Sequence, residues 1–229
     1  MSVIADKLQA VHRRIDAATL AAGRPLGSVR LLAVSKTKPL ADVLAAANAG
    51  QRLFGENYVQ EGCSKASATI AQKLEWHFIG PLQSNKSRAV AENFDWVHTI
   101  DRLKIAERLS AQRPLDRPPL QVCVQVNISG ENSKSGCSPL EASALCHAIS
   151  QLPGLQLRGL MTIPAPEEDP LAQREPFARL RALYESLQRD GLNLDTLSMG
   201  MSHDLEAAIA EGATLVRIGT AIFGERNYA

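Results

Sequence analysis

A lysine placed directly after an apolar run is the first candidate for chemistry in this sequence. Lys36 follows the run LLAV at 31–34. An amine at the end of an apolar strand is partly desolvated, which favours the neutral form that attacks a carbonyl carbon. The chemistry this permits is Schiff-base formation, and the alternative is a side chain that extends to solvent. Lys38 precedes Pro39, which ends the strand, so we expect Lys38 to be a charge on the rim.

Two turns of small residues are candidates for binding an anion. Ser202 follows Gly200 and Met201 and is predicted to cap a helix over 203–211, and Gly219 and Thr220 begin a last short helix. Helix N-termini present backbone N–H groups that bind phosphate, and the serine and threonine hydroxyls add donors. The alternatives are capping alone for Ser202 and tight packing for Gly219.

Arg217 is the third candidate because it interrupts the apolar run LVRIG at 215–219. An arginine at the end of an inner strand needs a partner, since a guanidinium in an apolar setting is costly. That partner is either a bound ligand or a carboxylate such as Glu56.

An alternation of short apolar runs and Ala-rich amphipathic stretches predicts the elements that carry these residues. Runs such as LLAV and VCVQV are apolar nearly throughout, which is typical of parallel strands covered on both faces. Eight strands are predicted, at 30–36, 52–55, 76–80, 96–100, 120–128, 155–163, 196–199 and 214–218. Helices are predicted at 2–23, 40–49, 58–72, 84–92, 102–112, 138–151, 171–189 and 203–211, with a short one after Gly219.

Eight strand–helix units are the number that closes a (β/α)8 barrel. We therefore predict an α/β protein, a (β/α)8 TIM barrel with an extra N-terminal helix, as a single domain over residues 1–229; an open doubly wound sheet is the alternative. Active sites of barrels lie at the C-terminal ends of the strands. Because strands one and eight are neighbours in a closed barrel, Lys36, Arg217 and the Gly219–Thr220 turn should meet there.

Composition and missing motifs exclude several classes of function. Lys and Arg total 25 against 24 for Asp and Glu, a net charge of +1, so we expect no nucleic-acid binding. The four cysteines have no C-x-x-C spacing, which indicates reduced thiols, no metal site and a cytoplasmic location. No apolar run approaches the roughly 20 residues that span a bilayer. Walker, Gly-x-Gly-x-x-Gly and Gly-x-Ser-x-Gly motifs do not occur.

A lysine that forms a Schiff base, a phosphate site and an arginine for a ring nitrogen together describe a pocket for pyridoxal 5'-phosphate. Six segments of the sequence resemble the YggS/PROSC family of pyridoxal phosphate homeostasis proteins, which is itself similar to the N-terminal barrel domain of bacterial alanine racemase. They are LLAVSKTKP (31–39), FGENYVQE (54–61), EWHFIGPLQSNKSR (75–88), NISGENSKSG (127–136), RGLMTIPAP (158–166) and LSMGMSHDLEAAIAEGATLVRIGTAIFG (197–224).

The resemblance implies a role for each candidate residue. Lys36 would carry the cofactor as an internal aldimine, and Ser202, Gly219 and Thr220 would hold its phosphate. Arg217 would face the pyridine nitrogen, and Asn57 would line the pocket around the ring. Lys38 and Lys134, which fall on predicted mouth loops, are further lysines that could engage the cofactor.

Arg217 also bears on what the cofactor could do. Arginine stays protonated and donates to the ring nitrogen without protonating it, which makes the ring a weaker electron sink. Racemisation needs an acid or base on each face of the substrate carbon, and in the racemases the opposing tyrosine comes from a second domain of a partner subunit. This sequence has three tyrosines, Tyr58, Tyr184 and Tyr228, and ends at Ala229.

We therefore expect a monomeric protein that is not an enzyme and that buffers pyridoxal phosphate or delivers it to apo-enzymes. The alternative is a compact amino-acid racemase that uses the same cofactor. A barrel that binds a phosphosugar and no cofactor is a more distant possibility.

Overall fold

The computed structural model describes residues 3–131 and 135–225, and these residues form a closed barrel of parallel strands. Each strand pairs with the next along the chain, and the last pairs with the first. The predicted barrel is confirmed, and the open doubly wound sheet is wrong. The strands are β1 (Arg30–Val34), β2 (Leu53–Glu56), β3 (Glu75–Phe78), β4 (Trp96–Ile100), β5 (Leu120–Gln125), β6 (Leu155–Met161), β7 (Thr196–Ser198) and β8 (Leu215–Ile218).

Helices alternate with the strands and cover the outside of the barrel. An N-terminal helix precedes the first strand, as predicted, and packs against the last two helices. The α-helices are α1 (Val3–Ala21), α2 (Leu40–Asn48), α3 (Val59–Ala68), α4 (Ser87–Asn93), α5 (Leu103–Gln112), α6 (Pro139–Ser150), α7 (Pro170–Arg189), α8 (Leu205–Ala210) and α9 (Thr220–Phe223). Along residues 3–131 and 135–225, none of the helices is long and apolar enough to cross a membrane.

Several predicted strands end earlier in the structure because their apolar runs continue into the loops at the barrel mouth. β1 ends at Val34, two residues before Lys36, where the chain enters a turn. β5 ends at Gln125, and Val126 makes only an isolated bridge to Cys137. The helix predicted over 58–72 is divided, since α3 ends at Ala68 and a 3-10 turn follows at Ile70–Gln72.

The main apolar core lies between the strands and the helices, and the barrel interior is of mixed polarity. Inside the barrel are two small apolar clusters: Leu32, Ile79 and Leu215, and Trp96, Cys123 and Met161. Beside them are the buried polar side chains of His77, His98, Ser198 and Arg217. All four cysteines are free thiols, in agreement with the sequence prediction.

Gly159 provides a test of the β6–β7 contact that this fold requires. A Cβ atom at Gly159 would lie 1.8 Å from the carbonyl oxygen of its neighbour Thr196. We expect Gly159→Ala to lower the free energy of unfolding by about 3 kcal/mol or more, since overpacking against backbone cannot be relieved by rotation of a side chain. Gly191→Ala, at a positive φ with no atom near its Cβ position, should cost only about 1–2 kcal/mol. Urea unfolding of both variants measures this, and equal losses would contradict it.

Candidate functional site

Closure of the barrel brings the ends of β1 and β8 together at the mouth. Ala33 pairs with Ile218, so the two chains leave the sheet side by side. A Cβ atom at Gly219 would lie 3.1 Å from the carbonyl oxygen of Val34. The Lys36 turn and the Gly219–Thr220 turn are thus adjacent, at the end of the barrel where they were predicted to meet.

Lys36 lies in a tight turn and is half-buried. The turn is closed by the Lys38 N–H, which donates to the Ser35 carbonyl at 3.0 Å, and Ser35 N–H donates to the Gly55 carbonyl of β2 at 3.0 Å. Thr37 has a φ of 63°, a left-handed conformation that costs energy for a β-branched residue. Such a turn persists only when its surroundings hold it.

Two carboxylates and a second lysine hold this turn in place by hydrogen bonds. Lys65 Nζ donates to the Ser35 carbonyl (2.8 Å), to Glu56 Oε1 (2.8 Å) and to Glu61 Oε1 (2.7 Å). Glu56 Oε1 also accepts from Ser35 Oγ at 2.6 Å, and Glu61 Oε1 accepts from the Thr37 N–H at 2.7 Å. We call Glu56, Glu61 and Lys65 the Lys65 cluster. It binds the residues on either side of Lys36.

The Lys65 cluster was missed in the sequence because its members look ordinary there. Glu61 and Lys65 have the i,i+4 spacing of a solvated helix pair, yet the Lys65 side chain is only 7% exposed and the Glu56 side chain is fully buried. Burial raises the pKa of Glu56, and the hydrogen bonds from Lys65 and Ser35 oppose that shift. The sequence feature that could have revealed this cluster is Glu56, a glutamate at the end of a buried strand.

Arg217 is 4% exposed and is bound by the ends of two neighbouring strands. Its Nη1 donates to the Ser198 carbonyl (2.6 Å) and to Ser198 Oγ (2.9 Å), and its Nη2 donates to the Thr162 carbonyl (2.9 Å). The sequence alternative of a salt bridge to Glu56 is wrong, since Glu56 pairs with Lys65. A guanidinium has five N–H groups, so two of them have no acceptor among the described residues. Burial lowers the pKa of Arg217 to about 10, which still leaves it charged at neutral pH.

The turn after β7 has a different cap from the predicted one. Helix α8 begins at Leu205 and its N-cap position is Asp204, so the prediction of Ser202 as the cap is wrong. The reason is that Asp204 Oδ1 accepts from the Met201 N–H at 2.5 Å, which bends residues 202–204 into a turn before the helix. The Ser202 carbonyl accepts from Arg14 Nη1 of α1 at 2.8 Å, so this bond leaves the Ser202 hydroxyl unused.

The turn after β8 is short and opens to the mouth. Gly219 is at the N-cap position of α9, and Thr220 is exposed. The first N–H groups of any helix have no acceptor within the helix, so the backbone here offers donors beside the Thr220 hydroxyl. Any side chain at Gly219 would press on the Val34 carbonyl, which explains the glycine.

Asn57 follows β2 and carries an unsatisfied buried group. Its Oδ1 is buried and has no hydrogen-bond partner within residues 3–131 and 135–225. The amide lines a mouth cavity of about 260 Å³, together with Ile79, Thr99, Gln125 and Ile163. Buried polar atoms in folded proteins are nearly always paired, so an unpaired acceptor on a residue that lines a cavity is a candidate contact for a ligand or water.

The other residues singled out in the sequence lie elsewhere or are already engaged. Lys38 Nζ donates to the Glu225 carbonyl at 2.6 Å. The Tyr184 hydroxyl donates to the Leu194 carbonyl at 2.8 Å, before the start of β7 and so at the far end of the barrel. Tyr58 is exposed next to Asn57. Lys134 and Tyr228 are outside the described residues.

Residues 7–227 match the family described as the alanine racemase N-terminal domain, and the chain belongs to that family. It is 60% identical to a pyridoxal phosphate homeostasis protein of Pseudomonas aeruginosa, over 100% of this chain and 98% of that protein. It is 55% identical to the protein of the same name from Escherichia coli K12, over 100% and 99%. The resemblance seen in the sequence is thereby confirmed.

Solved structures agree with this assignment. PipY of Synechococcus elongatus, solved with pyridoxal phosphate bound, superposes with a TM-score of 0.81 at 39% identity and covers 96% of this chain and 100% of that one. Alanine racemase of Corynebacterium glutamicum, at 18% identity and a TM-score of 0.67, shares the fold over 97% of this chain and 62% of its own.

Removing the cation of the Lys65 cluster tests its role. Lys65→Met leaves the fully buried Glu56 without its partner, so we expect a loss of about 3–5 kcal/mol in the free energy of unfolding at neutral pH. The double variant Glu56→Gln, Lys65→Met should recover part of this loss, because no charge is then stranded. Lys104→Met, on the exposed surface of α5, is the control. Denaturant unfolding that gives Lys65→Met the stability of Lys104→Met would refute the assignment.

Proposed function

We propose that this chain binds pyridoxal phosphate through a covalent bond to Lys36 and carries it, serving the balance of the cofactor in the cell. The observation that carries the proposal is the Arg217 guanidinium, buried near the end of β8, the strand that pairs with β1 ahead of the Lys36 turn, with two N–H groups left to donate. Full-length relatives at 55–60% identity named for pyridoxal phosphate homeostasis support the same function.

The residues present fit the cofactor on grounds of their own chemistry. When bound, pyridoxal phosphate supplies an aldehyde that condenses with a primary amine and releases water. Lys36 is a half-buried lysine at this end of the barrel, and the turn on either side of it is held by the Lys65 cluster. Arg217 has donors for a ring nitrogen, and Asn57, which lines the mouth cavity, has a buried acceptor without a partner among the described residues.

We propose that the phosphate lies against the turns after β7 and β8. The backbone N–H groups at the start of α9, with the hydroxyls of Thr220 and Ser202, are the donors for its oxygens. Lys36 and Arg217 add two positive charges to this end of the barrel, which suits a dianionic group. The arginine from α1 that binds the Ser202 carbonyl keeps the β7 turn in place.

The site is better suited to carrying the cofactor than to chemistry through a carbanion. Arg217 keeps its proton at neutral pH and donates to the ring nitrogen, so it does not turn the ring into a strong electron sink. Tyr184, a potential second acid or base, is engaged at the opposite end of the barrel. We further propose that the chain acts as a monomer of one domain and passes its cofactor to apo-enzymes.

Cofactor retention and delivery test the proposal together. After loading with pyridoxal phosphate and desalting, the wild type and Lys38→Ala should keep a visible chromophore and restore activity to an apo-enzyme that requires the cofactor. Lys36→Ala should keep no covalent cofactor and restore none. Lys38 is the matched control because it lies two residues away and binds the Glu225 carbonyl. A Lys36→Ala protein that retains and delivers the cofactor like the wild type would contradict the proposal.

A further inference from the structure

A continuous line of buried hydrogen bonds crosses the inside of the barrel and ends on Arg217. From Arg217 the contacts run to Ser198 Oγ (2.9 Å), from there to His98 Nδ1 (2.7 Å), from His98 Nε2 to His77 Nδ1 (2.8 Å), and from His77 Nε2 to Glu75 Oε1 (2.8 Å). We call these five residues the polar column. It extends from the first residue of β3, at the bottom of the barrel, to the mouth.

The donors at one end and the acceptor at the other set the direction of every bond. Arg217 can only donate, so Ser198 Oγ accepts from it, and because His98 Nδ1 is the other hydrogen-bond contact of this hydroxyl among the described residues, the Ser198 proton goes to His98 Nδ1. His98 then carries its proton on Nε2 and donates to His77 Nδ1. His77 in turn carries its proton on Nε2 and donates to the Glu75 carboxylate. All members are satisfied only when both histidines are neutral and protonated on Nε2.

The surroundings of the column favour this state. Burial lowers the pKa of both histidines, that of His98 well below its usual range, so both are neutral at pH 7. Although burial alone would raise it, the hydrogen bond from His77 and the charge of Arg30 lower the pKa of Glu75. Arg30 pairs with Glu75 at 2.9 Å, and the His77 ring stacks on Trp96 with centroids 5.3 Å apart.

We propose that His98 and His77 are positioning residues for Arg217: through Ser198 they fix which guanidinium N–H groups are occupied and which remain for the cofactor ring. The inference rests on the proposed function. If the column is broken at His98, the Ser198 hydroxyl is free to turn and the direction of its proton is no longer set. Arg217 then keeps the Ser198 and Thr162 carbonyls as acceptors, but its third acceptor, Ser198 Oγ, is no longer fixed, so the division of its N–H groups between the protein and the cofactor is less well defined.

A first test needs no cofactor. Long-range nitrogen–proton NMR spectra of the apo-protein distinguish the two neutral tautomers and the charged form of each imidazole. Replacing the exposed His12, His147 and His203 by Asn leaves only the two signals of the column. We expect both to be neutral and protonated on Nε2 at pH 7. A proton on Nδ1 of either ring, or a charged ring, would overturn the proposal.

A second test uses the bound cofactor as a probe of Arg217. Ser198→Ala and His98→Leu should weaken retention of pyridoxal phosphate about tenfold or more, the usual effect of losing a hydrogen bond to a charged group, and should shift the visible absorption band. His147→Asn should change neither. Ser198→Ala removes a single oxygen atom and is the smaller change. It therefore tests the proposal even if His98→Leu does not fold.

Two substitutions of Glu75, at the far end of the polar column, form a matched pair of variants for a third test. Glu75→Gln and Glu75→Ala both remove the ion pair with Arg30, but only glutamine keeps an acceptor for His77. We expect the visible band of Glu75→Gln to stay closer to that of the wild type than the band of Glu75→Ala. Wild-type affinity and band position in Ser198→Ala would defeat this inference alone, whereas a wild type that binds no cofactor would defeat the proposed function.

Discussion

The pairing of β8 with β1 is the contact on which the rest of this site depends. It joins residues nearly two hundred positions apart in the chain, and it makes neighbours of the Lys36 turn and the Gly219–Thr220 turn. In an open sheet the first and last strands could be far apart, and the Lys36 amine, the Arg217 guanidinium and the donors proposed for the phosphate could not share a ligand. Barrel closure thus turns three separate sequence features into one site at the C-terminal ends of the strands.

Closure also places two cationic side chains at one end of the barrel in a protein of net charge +1. The structure supports them by different means. The Lys65 cluster binds the backbone around Lys36 from α3 and β2, whereas the polar column supports Arg217 through the interior of the barrel. Both supports join buried polar groups by hydrogen bonds, while Glu56 Oε2 and two N–H groups of Arg217 have no partner among the described residues.

The sequence was sufficient for the barrel, for the placement of Lys36 and for the location of Arg217 in an inner strand, because apolar runs and strand order determine these features. It was not sufficient to predict which residues these side chains contact. Arg217 binds Ser198 and Thr162 rather than Glu56, since which side chains face each other across a barrel depends on the register of all eight strands. The start of α8 was misplaced because a local bond between Asp204 and the Met201 N–H competes with the helix. His77 and His98 are buried side chains of β3 and β4, and they lie in a line of contacts that only the closed barrel creates.

The central claim is that Lys36 is the residue that carries the cofactor, and its most direct test is the position of the covalent bond. The loaded wild-type protein is reduced with borohydride, digested, and mapped by mass spectrometry. The account predicts one phosphopyridoxyl group, on the peptide that contains Lys36. Its amount should match the amount of visible chromophore that disappears on borohydride reduction. A group found mainly on Lys38, Lys134 or any other lysine would contradict it.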